Sequence, residues 1–215
     1  LFDLKDSVYV SQTEFQAIPG RKYRLDITTD EGKSYYSTPQ TLTTVNQIQS
    51  IDATVETRKG ERGVEINVNS FDPTGTSKYY RYEYEETYKI IAPKWDDEMT
   101  RLKPLPLGPD EEHQEILVLP RTKETQTCYT TKKEDYIILT STNNFSEDKV
   151  RFPIRFVSNQ NYIISHRYSI LVRQYIQTIE AYTFYKTLKE LSGNESILSQ
   201  NQPGFFYGNI RSVDN

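Results

Sequence analysis

The stretch that decides the fold runs from Tyr79 to Tyr88 and reads YYRYEYEETY. Its even positions 80, 82, 84 and 88 are tyrosines, and its odd positions 81, 83 and 85 are charged. Because successive side chains of a strand point to opposite faces of the sheet, this alternation predicts a strand with one tyrosine face and one charged face. A tyrosine ring buries apolar area while its hydroxyl needs water or a partner, which suits half-exposed sheets and protein interfaces.

Two hairpins are predicted upstream of this strand. Residues 20–38 contain alternating apolar side chains and a Gly-containing turn, and residues 53–69 repeat the pattern around a turn at 59–63. Asp72-Pro73-Thr74-Gly75 is a turn signal that leads into the tyrosine strand. A lone hairpin is unstable in water, so the first needs a partner sheet from residues 1–18 or from sequence upstream of the chain given.

Downstream of the tyrosine strand, the apolar runs predict four further strands and one helix. The strands are predicted at residues 136–140, 150–156, 161–165 and 168–175. The helix is predicted over residues 178–191, with Thr178 as N-cap and Ser192-Gly193 at its end. Its apolar stripe consists of Ala181, Phe184, Tyr185, Leu188 and Leu191. We expect Phe184, Tyr185 and Leu188 to pack on a sheet.

Residues 92–127 are predicted to be an irregular insertion. They carry five prolines, two acidic runs and the single tryptophan, and a long segment of this kind is usually functional. We expect this segment to make the principal contacts with a partner, because proline restricts the chain and large apolar side chains concentrate binding energy. The candidate contact residues are Trp95, Met99, Leu102, Leu105 and Leu107. The alternative is a loop folded back onto its own domain.

The fold class predicted from these elements is mainly β, with two β domains and one helix. The polar run from Thr43 to Gln49 places the domain boundary near residue 47. Residues 1–47 would be the hairpin portion of an amino-terminal β domain. Residues 48–215 would form a second β-rich domain that carries the 92–127 insertion and the helix.

The composition excludes several kinds of function. A net charge of −4 and a pI near 5.4 give no basic face for nucleic acid. One cysteine and two histidines cannot build a zinc site or a redox pair, and no phosphate loop or nucleophile motif occurs. We therefore expect no enzyme activity, no cofactor and no metal, although a hard cation at the acids of residues 96–98 or 110–112 is a second reading. We expect Cys128 to be a buried packing residue.

A family resemblance rests on five motifs spread over the chain. They are Gly20-x-x-Tyr23-x-Leu25-x-Ile27-Thr28 with Gly32-Lys33-x-Tyr35-x-Ser37, the strand from Tyr79 to Tyr84, Cys128-Tyr129, the run from Tyr168 to Tyr175 with Ala181-Tyr182-x-Phe184-Tyr185-x-x-Leu188, and Gln202-Pro203-Gly204 with Gly208-Asn209-Ile210. In these motifs the chain resembles the Bacteroidota outer-membrane lipoproteins of the domain of unknown function 4249 family. The resemblance implies an immunoglobulin-like β-sandwich and no established enzymatic activity.

The same resemblance implies a location and a partner. Family members typically carry an amino-terminal lipid anchor and often lie beside genes for SusC-type, TonB-dependent transporters. The chain starts without Met, so we interpret it as part of a longer precursor whose anchor lies outside the given sequence. The implied function is an accessory lipoprotein at the outer membrane or cell surface that docks on a β-barrel for nutrient capture or complex assembly. The alternative is a free-standing glycan- or peptide-binding protein, with Trp95 and neighbouring aromatics as its platform.

Overall fold

The fold is known from a computed structural model that describes residues 1–18, 20–105, 113–193 and 208–213. Within them the chain is mainly β, as the sequence predicts. The strands are β1 (Phe2–Lys5), β2 (Val8–Ser11), β3 (Lys22–Tyr23), β4 (Asp26–Thr28), β5 (Ser34–Ser37), β6 (Gln40–Thr41), β7 (Ile48–Arg58), β8 (Glu61–Asp72), β9 (Tyr79–Ile91), β10 (Glu98–Leu105), β11 (His113–Pro120), β12 (Thr127–Lys133), β13 (Ile138–Ser141), β14 (Asp148–Ser158), β15 (Tyr168–Ile176) and β16 (Ile210–Ser212). Helix α1 covers Ile179–Gly193, and a 3₁₀ turn covers Tyr162–Ile164.

Two antiparallel sheets form a β-sandwich. In the first sheet β8 lies between β7 and β14. In the second, β9 pairs with β15 along one edge, and β12 and β13 follow each other along the opposite edge. Strands β7, β8 and β14 thus occupy the A, B and E positions of an immunoglobulin-like sandwich, and β9 and β15 occupy the C and F positions.

The tyrosine face of β9 forms the centre of the core and is more deeply buried than the half-exposed sheet that its composition predicts. Tyr80, Tyr82 and Tyr84 are each no more than 1% exposed. The Tyr82 ring stacks on Phe152 of the opposite sheet at 5.6 Å between ring centroids. Aliphatic side chains of β8 and β14, including Val68, complete the cluster. Both sheets therefore pack on these three rings.

Each buried tyrosine hydroxyl donates a hydrogen bond at the margin of the core. The acceptors are Asp148 at 2.8 Å for Tyr80, Gln174 at 2.9 Å for Tyr82 and Glu134 at 2.6 Å for Tyr84. Burial raises the pKa of all three phenols above the ordinary value, so the hydroxyls keep their protons and act as donors. A buried hydroxyl without a partner would destabilise the fold, so these bonds are what permit an aromatic core of this kind.

Glu86 also faces the core, and a β-bulge supplies its partner. The register between β14 and β8 shifts between Pro153 and Arg155, which turns Arg155 to the inner face of its sheet. There its guanidinium donates to Glu86 at 2.8 and 3.3 Å, and the Tyr168 hydroxyl donates to the same carboxylate at 2.7 Å. The Glu86 carboxylate, 4% exposed, is thus bound by both sheets.

The turn before β9 is organised by the Asp72 carboxylate. It accepts hydrogen bonds from the backbone N–H groups of Thr74, Thr76 and Ser77 and from the hydroxyls of Thr74 and Thr76. The Thr74 hydroxyl is the largest influence that holds the pKa of Asp72 well below its ordinary value. Gly75 has a φ of 67°, which agrees with the predicted turn.

The predicted helix is confirmed, with a change in its packing face. The Thr178 hydroxyl accepts from the Ala181 N–H at 3.3 Å, as an N-cap does. The Tyr182 ring lies 5.0 Å from that of Tyr79, and the Tyr185 ring lies 4.9 Å from the Arg81 guanidinium. Leu188 is half-buried, whereas Phe184, expected to pack on the sheet, is 37% exposed.

Two predicted strands are wrong in detail. Residues 161–165 form the 3₁₀ turn instead, because the Asn161 side chain accepts from the Ile163 N–H and begins a turn. The predicted strand through Tyr23 and Ile27 breaks at Leu25, whose N–H donates to the Ser37 hydroxyl at 2.9 Å. As a result β3 pairs with β6, while β4 pairs with β5.

The polar segment near the carboxyl end returns to the amino-terminal part of the chain. Strand β16 pairs with β5, with Ile210 opposite Ser37. The predicted boundary near residue 47 falls between β6 and β7. Hydrogen bonds cross it, including Asn46 Nδ2 to the Tyr80 hydroxyl at 3.0 Å. The division into two domains stays a prediction.

We predict that Glu86→Ala lowers the free energy of unfolding by about 3 kcal/mol, because it leaves the Arg155 guanidinium without its buried partner. Urea unfolding measures the effect. The control is Glu85→Ala, which removes the more exposed Arg173 pair and should cost at most about 1 kcal/mol. Equal losses in the two variants would contradict the assignment of Glu86 to the core.

We predict a second, pH-dependent effect at Asp72. Its folded pKa lies below the unfolded value of about 3.9, so the carboxylate stabilises the fold above that pH and loses this contribution as the pH falls. Asp72→Asn should therefore lower stability by about 2 kcal/mol at pH 7. The difference from the parent should shrink as the pH drops below about 4. Thermal melts between pH 3 and 7 test this, and a difference independent of pH would contradict it.

Candidate functional site

The segment predicted to be irregular contains a hairpin. Strands β10 and β11 pair from Glu98 opposite Pro120 to Leu105 opposite His113. Both strands pair only with each other in the described part of the chain. Proline is tolerated in such strands because a missing N–H on an outer edge removes no ladder bond, which explains why the proline count misled the prediction. We call this element the projecting hairpin.

One face of the projecting hairpin is aliphatic and exposed. Leu102 lies opposite Ile116, and Thr100 lies opposite Val118, so these four side chains share a face. Leu102, Ile116 and Val118 are between 56% and 65% exposed. A two-stranded hairpin has little stability of its own in water, and apolar side chains clustered on its surface are typical of an interaction site.

The base of the projecting hairpin is held by one arginine and by the tryptophan. The Arg121 guanidinium donates to the carbonyl oxygens of Asp96 at 2.9 Å and Glu98 at 3.1 Å. The half-buried Trp95 indole donates to the Thr125 hydroxyl at 3.1 Å. These contacts fix the point where the hairpin leaves the sandwich, between β9 and β12.

The predicted contact residues separate into different positions. Trp95 lies at the base of the projecting hairpin, Leu102 lies on its aliphatic face, and Met99, 40% exposed, lies on the opposite face. Leu105 ends β10, and Leu107 lies outside the described residues. Ile116 and Val118 were not among the predicted contact residues, although the continuous apolar run of residues 116–119 could have indicated a strand there.

A groove lies between the amino-terminal part of the chain and the start of α1. It encloses about 570 Å³ and is lined mainly by apolar side chains, including Phe2, Phe15, Leu42 and Ile176. Arg24 is the charged residue in this lining. The groove suits apolar contact, since most of its exposed lining is apolar.

Cys128 is exposed on β12, so the prediction of a buried packing residue is wrong. Its strand is an edge of the second sheet, and a strand's alternation does not tell which of its faces another layer covers. Within the described ranges, no group of three His, Cys, Asp or Glu side chains could hold a metal ion. No described helix is long and apolar enough to span a membrane.

The family comparison agrees with the resemblance seen in the sequence. The family model described as "Domain of unknown function (DUF4249)" matches residues 1–215. The chain belongs to this DUF4249 family. No curated protein matches the chain, and no solved structure matches it.

We predict that Cys128 in the folded DUF4249 chain reacts with a bulky maleimide at a rate close to that of the urea-unfolded chain, because its side chain is exposed. Mass spectrometry of quenched samples measures the rate, and Cys128→Ser controls for reaction at other groups. Modification that occurs only after unfolding would contradict the exposed position.

Proposed function

We propose that this protein is a non-enzymatic accessory lipoprotein of an outer-membrane complex, which docks on a β-barrel through the projecting hairpin. The observation that carries the proposal is the aliphatic face of Leu102, Ile116 and Val118, which extends from the sandwich on a fixed base. A SusC-type, TonB-dependent transporter or a barrel-assembly protein is the partner that the family resemblance implies. The function would be nutrient capture or assembly of the complex at the cell surface.

The hairpin combines two properties that suit docking. Its position is set at the base by Arg121 and Trp95, which limits the entropy lost on binding. Arg101 and Lys103 lie on the opposite face of the hairpin, and their charge favours hydration of the free hairpin. Binding through one face therefore leaves the charged side chains hydrated.

We predict that Leu102→Asp combined with Val118→Asp abolishes partner recovery and leaves the fold intact, because both side chains are exposed and do not lie directly opposite each other. The full-length gene product, tagged and expressed in its native host, would be extracted in detergent and its partners identified by mass spectrometry. The parent protein should recover a β-barrel protein, and each buried aspartate should cost about 2 kcal/mol or more of binding free energy.

The matched control is Arg101→Asp, which adds an acid on the opposite face of the same strand, across from Leu117. It should retain the partner. Full recovery with the double variant would contradict docking through the aliphatic face. Recovery of the parent protein as a lone monomer that binds oligosaccharide would favour the free-standing binder instead.

A further inference from the structure

One corner of the sandwich is not filled by any strand of the described residues. An immunoglobulin-like sandwich places a seventh strand, G, beside strand F and beneath strand A. Here β15 holds the F position, and among the described residues only β9 pairs with it. The outer edge of β15 thus presents backbone N–H and C=O groups without a neighbouring strand.

The sheet above this position has an uncovered apolar stripe. Ile51 and Val55 of β7 lie opposite Val68 and Val64, so they belong to the face that looks toward the core. Val68 is fully buried, yet Ile51 is 42% and Val55 is 64% exposed. A strand in the G position would cover these side chains.

The segment that precedes β7 covers only one end of the space between the apolar stripe of β7 and the outer edge of β15. The Thr43 hydroxyl donates to the Ile176 carbonyl oxygen at 3.2 Å, and the Gln174 side-chain amide donates to the Asn46 carbonyl oxygen at 2.8 Å. The remainder, between Ile51–Val55 and the outer edge of residues 168–172, is not covered by any described strand. We call this space the open corner.

We propose that the open corner binds an extended segment of a partner protein as an added β-strand. The segment would pair with the outer edge of β15 and place aliphatic side chains at alternate positions against Ile51 and Val55. Addition of a strand to an exposed sheet edge is a common mode of peptide recognition, with main-chain hydrogen bonds for affinity and alternate side chains for specificity.

The outward face of β15 specifies the charge of the bound segment. Its side chains are, in order, Arg167 just before the strand, Ser169, Leu171 and Arg173. Opposite charges directly across two strands stabilise the pairing. Arg173 already donates to Glu85, but its guanidinium has further donors and its side chain is 40% exposed. The ligand is therefore a segment of about seven residues that alternates aliphatic and polar side chains, with an acid at each end.

A peptide tests the proposal on the purified chain, without the barrel, so failure of the proposed docking function would not affect the result. The probe is fluorescein-labelled Glu-Val-Thr-Val-Thr-Val-Glu, and its control is the permuted peptide Val-Val-Val-Thr-Thr-Glu-Glu. Fluorescence anisotropy should show binding of the alternating peptide at least about tenfold tighter than of the permuted one.

Three variants connect the binding to the open corner. Val55→Lys should weaken binding of the alternating peptide by about tenfold or more, whereas Val118→Lys on the projecting hairpin should leave it unchanged. Because a strand in the G position runs antiparallel to β15, Arg167→Glu should weaken binding of the same peptide and improve binding of Glu-Val-Thr-Val-Thr-Val-Lys relative to it. Circular dichroism checks that each variant is folded.

Several results would overturn the proposal. These are absence of binding, equal affinity for the alternating and permuted peptides, parental affinity in Val55→Lys, and protection from hydrogen exchange, in the protein alone, of the amides of residues 168, 170 and 172, which point to the outer edge. The last would show that the chain fills the corner itself. A concentration-dependent dimer that Val55→Lys dissociates would show that a second copy is the occupant, and would equally overturn binding of a partner segment.

Discussion

The structure depends on the need of three buried phenols for hydrogen-bond acceptors. Tyr80, Tyr82 and Tyr84 supply most of the aromatic volume of the core, and each brings a hydroxyl that a dry interior cannot leave unpaired. Their acceptors come from β14, from β15 and from the connection between β12 and β13. The bond from Tyr80 to Asp148 joins the two sheets, the other two bonds lie within the second sheet, and a shift of one residue in register would separate every hydroxyl from its acceptor.

The alternation in the sequence was sufficient to predict β9, its tyrosine and charged faces, and the hairpin of β7 and β8. It could not predict the pair of Glu86 and Arg155, because the β-bulge in β14 changes the face on which Arg155 lies. Glu86 nonetheless breaks the tyrosine pattern at an even position, and that charge was the visible sign of a buried partner. Strand β16 was also missed, since its partner β5 is distant in sequence and a three-residue strand carries no periodicity.

The sequence analysis named the segment of the chain that carries the candidate site, but it did not predict that this segment forms a hairpin. Prolines in residues 92–127 indicated an irregular loop, although a hairpin with two outer edges accommodates proline. The proposed docking face and the proposed strand-binding corner lie on opposite edges of the second sheet, because the projecting hairpin connects β9 to β12 while the corner adjoins β15. Under the two proposals, the protein could hold a barrel and a peptide segment at the same time.

The pairing of β16 with β5 has a consequence for the order of folding during synthesis. Residues 34–37 leave the ribosome long before residues 210–212, and the whole sandwich is translated between them. The sheet of β4 and β5 therefore cannot pair with β16 until the sandwich has been synthesised. Closure of so long a loop is entropically costly unless folding of the sandwich has already brought its ends together. The sandwich would then act as the template on which the amino-terminal sheet is completed last.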